Sequence, residues 1–315
     1  ILDIRPLAAL TNLTKLCVWS IAIWHTESRD GILLNVPGDI APLAGMTRLE
    51  KVHLCDTNVA TITPLAGLVN LRELRLTGSA VADIAPLAGL TKLRELHLCR
   101  TQVDDFSPLR HLIHLQVLWL SYTRIADVAP LGKLTKLWFL TLSHTRVVDI
   151  APLARLVKLK ELYMSETDIM DTTPLAGLIH LEHLSLLANR RVNNVTPLVG
   201  MTQLHELWLY GTAVADIRPL AALTNLEDLN LRRTKIVDVA PLAGLTKLFD
   251  LNLGHTSIAD IAPLAGLTNL QNLNLAYTDV VDVAPLANLV NLQLLQVDHC
   301  PIVDIMPLAH LSDLE

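Results

Sequence analysis

Residues 81–102 read VADIAPLAGLTKLRELHLCRTQ, and this frame recurs along the whole chain. Aligned on the proline of the D-[IV]-x-P-L segment, it brings Pro6, Pro42, Pro64, Pro86, Pro108, Pro130, Pro152, Pro174, Pro197, Pro219, Pro241, Pro263, Pro285 and Pro307 into phase. Successive intervals are 36, then 22 six times, then 23, then 22 five times. A fixed period of this length marks a solenoid, in which one unit cannot bury its leucines alone and stacked units make the core.

Within the unit, Leu93, Leu96 and Leu98 form LxxLxL. The last two sit two apart and face inward, as in a short strand, while His97 and Cys99 face the other way. Thr101 follows, where its hydroxyl can satisfy backbone left open as the chain turns. The same place holds Thr57, Thr123, Thr145, Thr167, Thr212, Thr234, Thr256 and Thr278, and Asn189 and Cys300 stand there in two other units. The APLAGL segment at 85–90 starts a helical turn, because proline is tolerated in a first turn where no amide donor is needed. It is long enough only for a short 3₁₀ or α turn.

The pattern DIxPLAxLTxLxxLxLxxT, at 22 residues per unit, resembles the leucine-rich repeat family and within it the bacterial internalin-like subclass. The resemblance implies an α/β leucine-rich-repeat solenoid: a right-handed superhelix with a concave parallel β-sheet and short 3₁₀ or α turns on the convex side. It also implies binding of a partner protein, usually on the concave face. Threonine where such repeats usually carry asparagine is the departure from the family pattern.

The unbroken repeat makes 1–315 one elongated domain of about thirteen repeats plus a partial one. The chain starts and stops inside repeats with no polar capping unit, so it is expected to be a fragment of a longer protein. An apolar share of 51% with 4% aromatic residues reflects stacked leucines. No apolar run approaches the roughly 18 residues of a membrane span. A net charge of −6 without a basic tract argues against nucleic acid as partner. Cys17, Cys55, Cys99 and Cys300 do not form a disulfide framework, and free thiols on an exposed face suit a reducing compartment such as cytosol.

Two intervals depart from the period. The first is longer by 14 residues, and the segment 20–38, SIAIWHTESRDGILLNVPG, reads as a β-hairpin that either shields the amino-terminal end or grips a partner through Trp24 and Ile32. The interval of 23 adds one residue around Arg190 and Arg191, expected to bulge locally without breaking the stack.

Function belongs to the outward positions, because the inward ones are committed to packing. In LxxLxLxx the fifth position runs from Cys17 and His53 through Trp119 and Tyr163 to an amide row that includes Asn230 and Asn252. The third position is acidic in six of thirteen units, among them Glu161, Glu206 and Asp228, which points to a partner with a basic or extended segment. Aromatics are scarce, yet Trp19, Trp119, Tyr122, Phe139, Tyr163, Trp208 and Tyr210 all fall at outward positions. Of these, Trp119, Phe139, Tyr163, Trp208 and Tyr210 are the expected anchors, because rigid aromatic side chains bury much area at low entropic cost.

Chemistry is harder to find. His53 with Cys55, and His97 with Cys99, point to one face at a spacing that suits zinc, but Arg75 and Lys51 intervene and no fourth ligand is evident. His144, His183, His255 and His299 lack a nucleophile with an orienting carboxylate, and no catalytic residue or cofactor is expected. Arg232 and Arg233, with Arg190 and Arg191, are the one basic grouping that stands out along the chain. The expected role is a protein-binding module; the alternative is the recruiting arm of a larger enzyme or receptor, whose catalytic domain would lie outside this sequence.

Overall fold

The computed structural model describes residues 9–19 and 38–314, together with Pro6. The hairpin expected at 20–38 lies outside them except for Gly38. Two compact units divide the chain, 1–147 and 148–315.

In the first unit, β1 (Lys15–Trp19), β2 (Lys51–Cys55), β3 (Glu73–Arg75), β4 (Glu95–His97), β5 (Val117–Trp119) and β6 (Phe139–Thr141) pair parallel in sequence order. In the second, β7 (Glu161–Tyr163), β8 (His183–Ser185), β9 (Glu206–Trp208), β10 (Asp228–Asn230), β11 (Asp250–Asn252), β12 (Asn272–Asn274) and β13 (Leu294–Gln296) do the same. Each residue faces its counterpart one repeat on: Leu96 pairs with Leu118, and Leu207 with Leu229. Every outward position therefore becomes a column of side chains about 4.8 Å apart. The extra residue of the long unit falls after Asn189, and the register continues as His183↔Glu206.

The return path is 3₁₀ in each described repeat, as at Ala85–Leu87, with proline in the first turn. An aspartate two residues before the start accepts the first free amide, for example Asp83 from Ala85 N at 2.7 Å and Asp149 from Ala151 N at 2.8 Å. The leucine rows are sealed: Leu87, Leu90, Leu93, Leu96 and Leu98 have no exposure. Each such side chain contributes roughly 1.5–3 kcal/mol of burial.

The eighth position turns the chain in the left-handed region, with φ between 52° and 60° at Asp56, Arg100, Tyr122, His144, Glu166, Ala188, Arg233, His255, Tyr277 and His299. Glycine fills it at Gly78 and Gly211, with φ of 70° and 69°. The buried threonine that follows closes this turn. Thr101 Oγ1 donates to Leu98 O at 2.7 Å, and Thr123, Thr145, Thr234 and Thr256 make the same bond at 2.6–2.7 Å. Asn189 reaches further, donating to Met164 O at 2.7 Å and accepting from Thr167 N at 3.0 Å, one repeat back. Cys300 behaves likewise, with Sγ 3.0 Å from Leu275 O.

Candidate functional site: the open strand face

In the first unit the strand face carries a continuous polar relay. Cys17 Sγ lies 3.2 Å from His53 Nδ1, and His53 Nε2 lies 2.7 Å from Glu73 Oε1. Arg75 bridges Glu73 and Glu95 at 2.8 Å each, Lys51 meets Glu73 at 2.8 Å, and His97 meets Glu95 at 2.7 Å. Burial would raise the Glu73 carboxyl, but the bonds from Lys51 and His53 and the Arg75 charge outweigh it and hold it at about 2. Burial pushes the His53 imidazole down against its bond to Glu73.

The relay continues as an aromatic stack: His97 lies on Trp119 at 5.1 Å between ring centres, and Trp119 on Phe139 at 4.6 Å. Trp138 meets the edge of Phe139 at 6.0 Å. Phe139 is only 9% exposed, and Trp119 is half-buried between the rings of His97 and Phe139.

In the second unit Tyr163 and Trp208 stand 6.5 Å apart with rings tilted by 52°. The Tyr163 hydroxyl donates to Glu161 Oε2 at 3.2 Å; burial first, then the Glu161 charge, push this phenol far up. Tyr210 is engaged by Arg233, whose Nη1 donates to its hydroxyl at 3.0 Å, while the guanidinium groups of Arg232 and Arg233 lie 5.9 and 5.8 Å from its ring centre. The basic pair is thus spent on Tyr210 and on His255, 3.2 Å from Arg232 Nη2.

Glu206, Asp228 and Asp250 face one another in register on β9, β10 and β11. His183 lies 3.0 Å from Glu206, close enough for an ion pair although poorly aligned for a hydrogen bond, and Asn272 donates to Asp250 at 2.9 Å. Asp228 sits between the two other carboxylates. Burial, and then the Asp250 charge, push it up to about 6, with the Trp208 indole pulling the other way.

The amide row has one committed side. Asn230, Asn252 and Asn274 accept through Oδ1 from the backbone N–H two residues on, at 3.1, 3.2 and 2.9 Å. That leaves their NH₂ groups to the open face, one of them bonded to Gln296. The row therefore offers donors and suits a partner presenting carbonyls.

The sequence reading missed two ring stacks on the eighth-position column. Tyr122 stacks on His144 at 4.1 Å with Arg100 5.1 Å from the tyrosine ring centre. Tyr277 lies between His255 and His299 at 4.3 and 4.2 Å. Their period of 22 was the available signal.

The thiols need a correction. Cys55 is buried, and Cys17, Cys99 and Cys300 are half-buried, so a compartment argument from exposed cysteines loses its premise. Burial pushes the Cys55 and Cys99 thiols up to about 11 and raises Cys17 as well. The Cys17–His53–Glu73 line resembles a nucleophile with its base, but a raised thiol beside a lowered imidazole keeps the proton on sulfur. Among the described residues no group of three or more His, Cys, Asp or Glu side chains is placed to hold a metal, and no helix is long and apolar enough to cross a membrane.

Short parallel strands, returned by 3₁₀ turns and presenting variable columns on one face, define a leucine-rich-repeat binding scaffold. Residues 69–111 match the family model for two copies of the leucine-rich repeat. The chain is similar to an internalin (InlF) from Listeria monocytogenes, with 33% identity over 86% of this chain and 81% of that one and a TM-score of 0.84. Internalin C2 from the same organism shares 35% identity over 59% of this chain and 80% of its own, with a TM-score of 0.53. A leucine-rich-repeat protein of Leptospira interrogans shares the fold at 18% identity, covering 99% of this chain and 80% of that one with a TM-score of 0.84. No curated protein sequence matches. The chain belongs to the leucine-rich repeat family, in its internalin-like branch.

Proposed function

We propose that the open strand face of the second unit binds a partner protein through an extended segment carrying lysine or arginine. The observation that carries this reading is the register row Glu206–Asp228–Asp250, in which Asp228 lies between two carboxylates. A cation from a partner set over Asp228 would relieve a repulsion that the free protein bears. Beside the row, Tyr163 and Trp208 supply apolar anchor area, and the NH₂ groups of Asn230 and Asn252 meet backbone carbonyls of the bound segment. In the first unit Trp119, stacked on Phe139, is a further anchor. The acidic row repels phosphate backbones, which favours protein over nucleic acid on this face.

The test is a comparative pull-down from host-cell and bacterial lysates with the wild-type chain, Tyr163→Ala/Trp208→Ala, Asp228→Asn/Asp250→Asn and Trp119→Ala. A protein held by the wild type and lost from the first two variants supports the reading, with each anchor worth about 1–4 kcal/mol. Identical capture by all four chains sinks it.

A further inference from the structure

The rim of the first unit, where the chain leaves each 3₁₀ turn and enters its strand, carries a cleft of about 330 Å³ lined by Arg72, Lys92, Arg94, His114, Gln116 and Lys136. Arg72, Arg94 and Gln116 directly precede β3, β4 and β5, and their amides continue the ladder: Arg94 N donates to Arg72 O and Gln116 N to Arg94 O, both at 2.8 Å. Their side chains therefore project at strand spacing, about 4.8 Å apart, from a fixed backbone. Lys92, His114 and Lys136 each precede the first leucine of a strand segment and form the second wall.

This lining is dominated by donors. Lys136 Nζ lies 2.7 Å from His114 Nδ1; an ammonium has nothing to accept with, so Nδ1 accepts and the ring proton sits on Nε2. Lys92 donates to Asn70 at 2.8 Å and has no carboxylate partner among the described residues. Arg72 touches Glu50 only loosely, at 3.6 Å between half-exposed groups. Arg94 has no side-chain partner among the described residues. The nearby strand-face carboxylates Glu73 and Glu95 are already bonded to Lys51, His53, Arg75 and His97.

The same rim positions in the second unit are arranged differently. There Lys160 meets Glu182 at 2.6 Å and His205 meets Glu227 at 3.2 Å, while Lys247 donates to Asn225 at 2.7 Å just as Lys92 does to Asn70. Cations stacked on adjacent strands repel, and in the second unit carboxylates one repeat on offset that repulsion. In a chain of net charge −6, the first-unit rim concentrates uncompensated donors around a space of small-molecule size.

We infer that this rim cleft binds a small multivalent anion bearing phosphate or sulfate groups, held by the Arg94 and Arg72 guanidinium groups with Lys92 and Lys136 on the facing wall. Guanidinium presents paired N–H groups that match two oxygens of such an anion, while the lysines contribute adaptable point charges. The site is separate from the strand face proposed above for protein binding and does not depend on it.

The test is calorimetric titration of the full chain with two probes, inorganic tripolyphosphate and a heparin-derived sulfated tetrasaccharide, at 50 and 200 mM salt. The expected result is one-to-one binding of at least one probe, weakened by salt and by at least about tenfold in Arg94→Gln/Lys136→Gln. Both side chains are exposed, so that variant is expected to keep the fold, as its unchanged thermal midpoint would verify. Lys247→Gln, altering the cation that occupies the same repeat position in the second unit, should leave binding unchanged. The tighter probe identifies the ester type. Absence of binding by both probes, equal binding to the double variant, or an equal loss in Lys247→Gln would overturn the inference.

Discussion

At the scale of single residues, the turn after each strand is held in two ways. Thr256 Oγ1 donates to Leu253 O at 2.6 Å, a bond inside its own repeat. Asn189, fully buried, accepts from Thr167 N at 3.0 Å and Thr167 Oγ1 at 2.7 Å and donates to Met164 O at 2.7 Å, tying two repeats together. Removing Thr256 loses one neutral bond, about 1 kcal/mol, whereas Asn189→Ala leaves a buried amide and carbonyl of the preceding repeat with lost bonds, about 2–4 kcal/mol. Thermal midpoints of Asn189→Ala and Thr256→Ala compare the two; an equal drop would show that the cross-repeat bonds carry no weight. The threonine ladder was legible in the sequence because position and hydroxyl suffice for a local bond. The reach of Asn189 was not, because it depends on the neighbouring repeat.

At the scale of elements, each described 3₁₀ turn begins without a side-chain bond from its own cap residue; in most the aspartate one place earlier supplies it, with Asn194 in its place in one repeat. Asp149→Ala should cost about 1 kcal/mol, the usual loss when a cap is removed. The natural contrast is the repeat with Thr61 in this place, whose hydroxyl reaches the Thr63 hydroxyl at 3.1 Å. Thr61→Asp should therefore gain a fraction of what Asp149→Ala loses, read as opposite shifts in thermal midpoint. Opposite signs support the cap, and two losses refute it. Repeat, strand and turn could be read from spacing alone, since leucine and proline positions fix the stack. The outward columns were legible as columns, but Phe139 turned out buried and Tyr210 bound by arginines. Which neighbour an outward ring leans on is decided by side-chain length and rotamer, which spacing does not encode.

At the scale of the whole chain, net charge is a poor guide to where charge acts. Eleven aspartates, Asp39, Asp83, Asp105, Asp127, Asp149, Asp171, Asp216, Asp238, Asp260, Asp282 and Asp304, are occupied as caps at 2.7–3.0 Å. The titrations that matter lie on the strand face, and they oppose each other. In the first unit the lowered His53 contributes stability that is lost as pH falls below its unfolded value near 6.5. Glu73, held at about 2, contributes stability that is complete above 4.5 and lost as pH falls towards 2. In the second unit Asp228, raised to about 6, destabilises the ionised fold, and that cost is relieved as pH falls from 6 towards 3.8. Opening free energies from amide hydrogen exchange, corrected for intrinsic rates, should therefore fall for β2 and β3, which carry His53 and Glu73, between pH 7 and pH 3, and rise for β9 to β11 between pH 7 and pH 4. Asp228→Asn should stabilise β9 to β11 at pH 7 and abolish their rise, while leaving β2 and β3 unchanged. A rise that persists in the variant would mean that another group drives it. A stabilised variant that also loses the partner would show Asp228 to be kept ionised and crowded for binding at a cost to the fold.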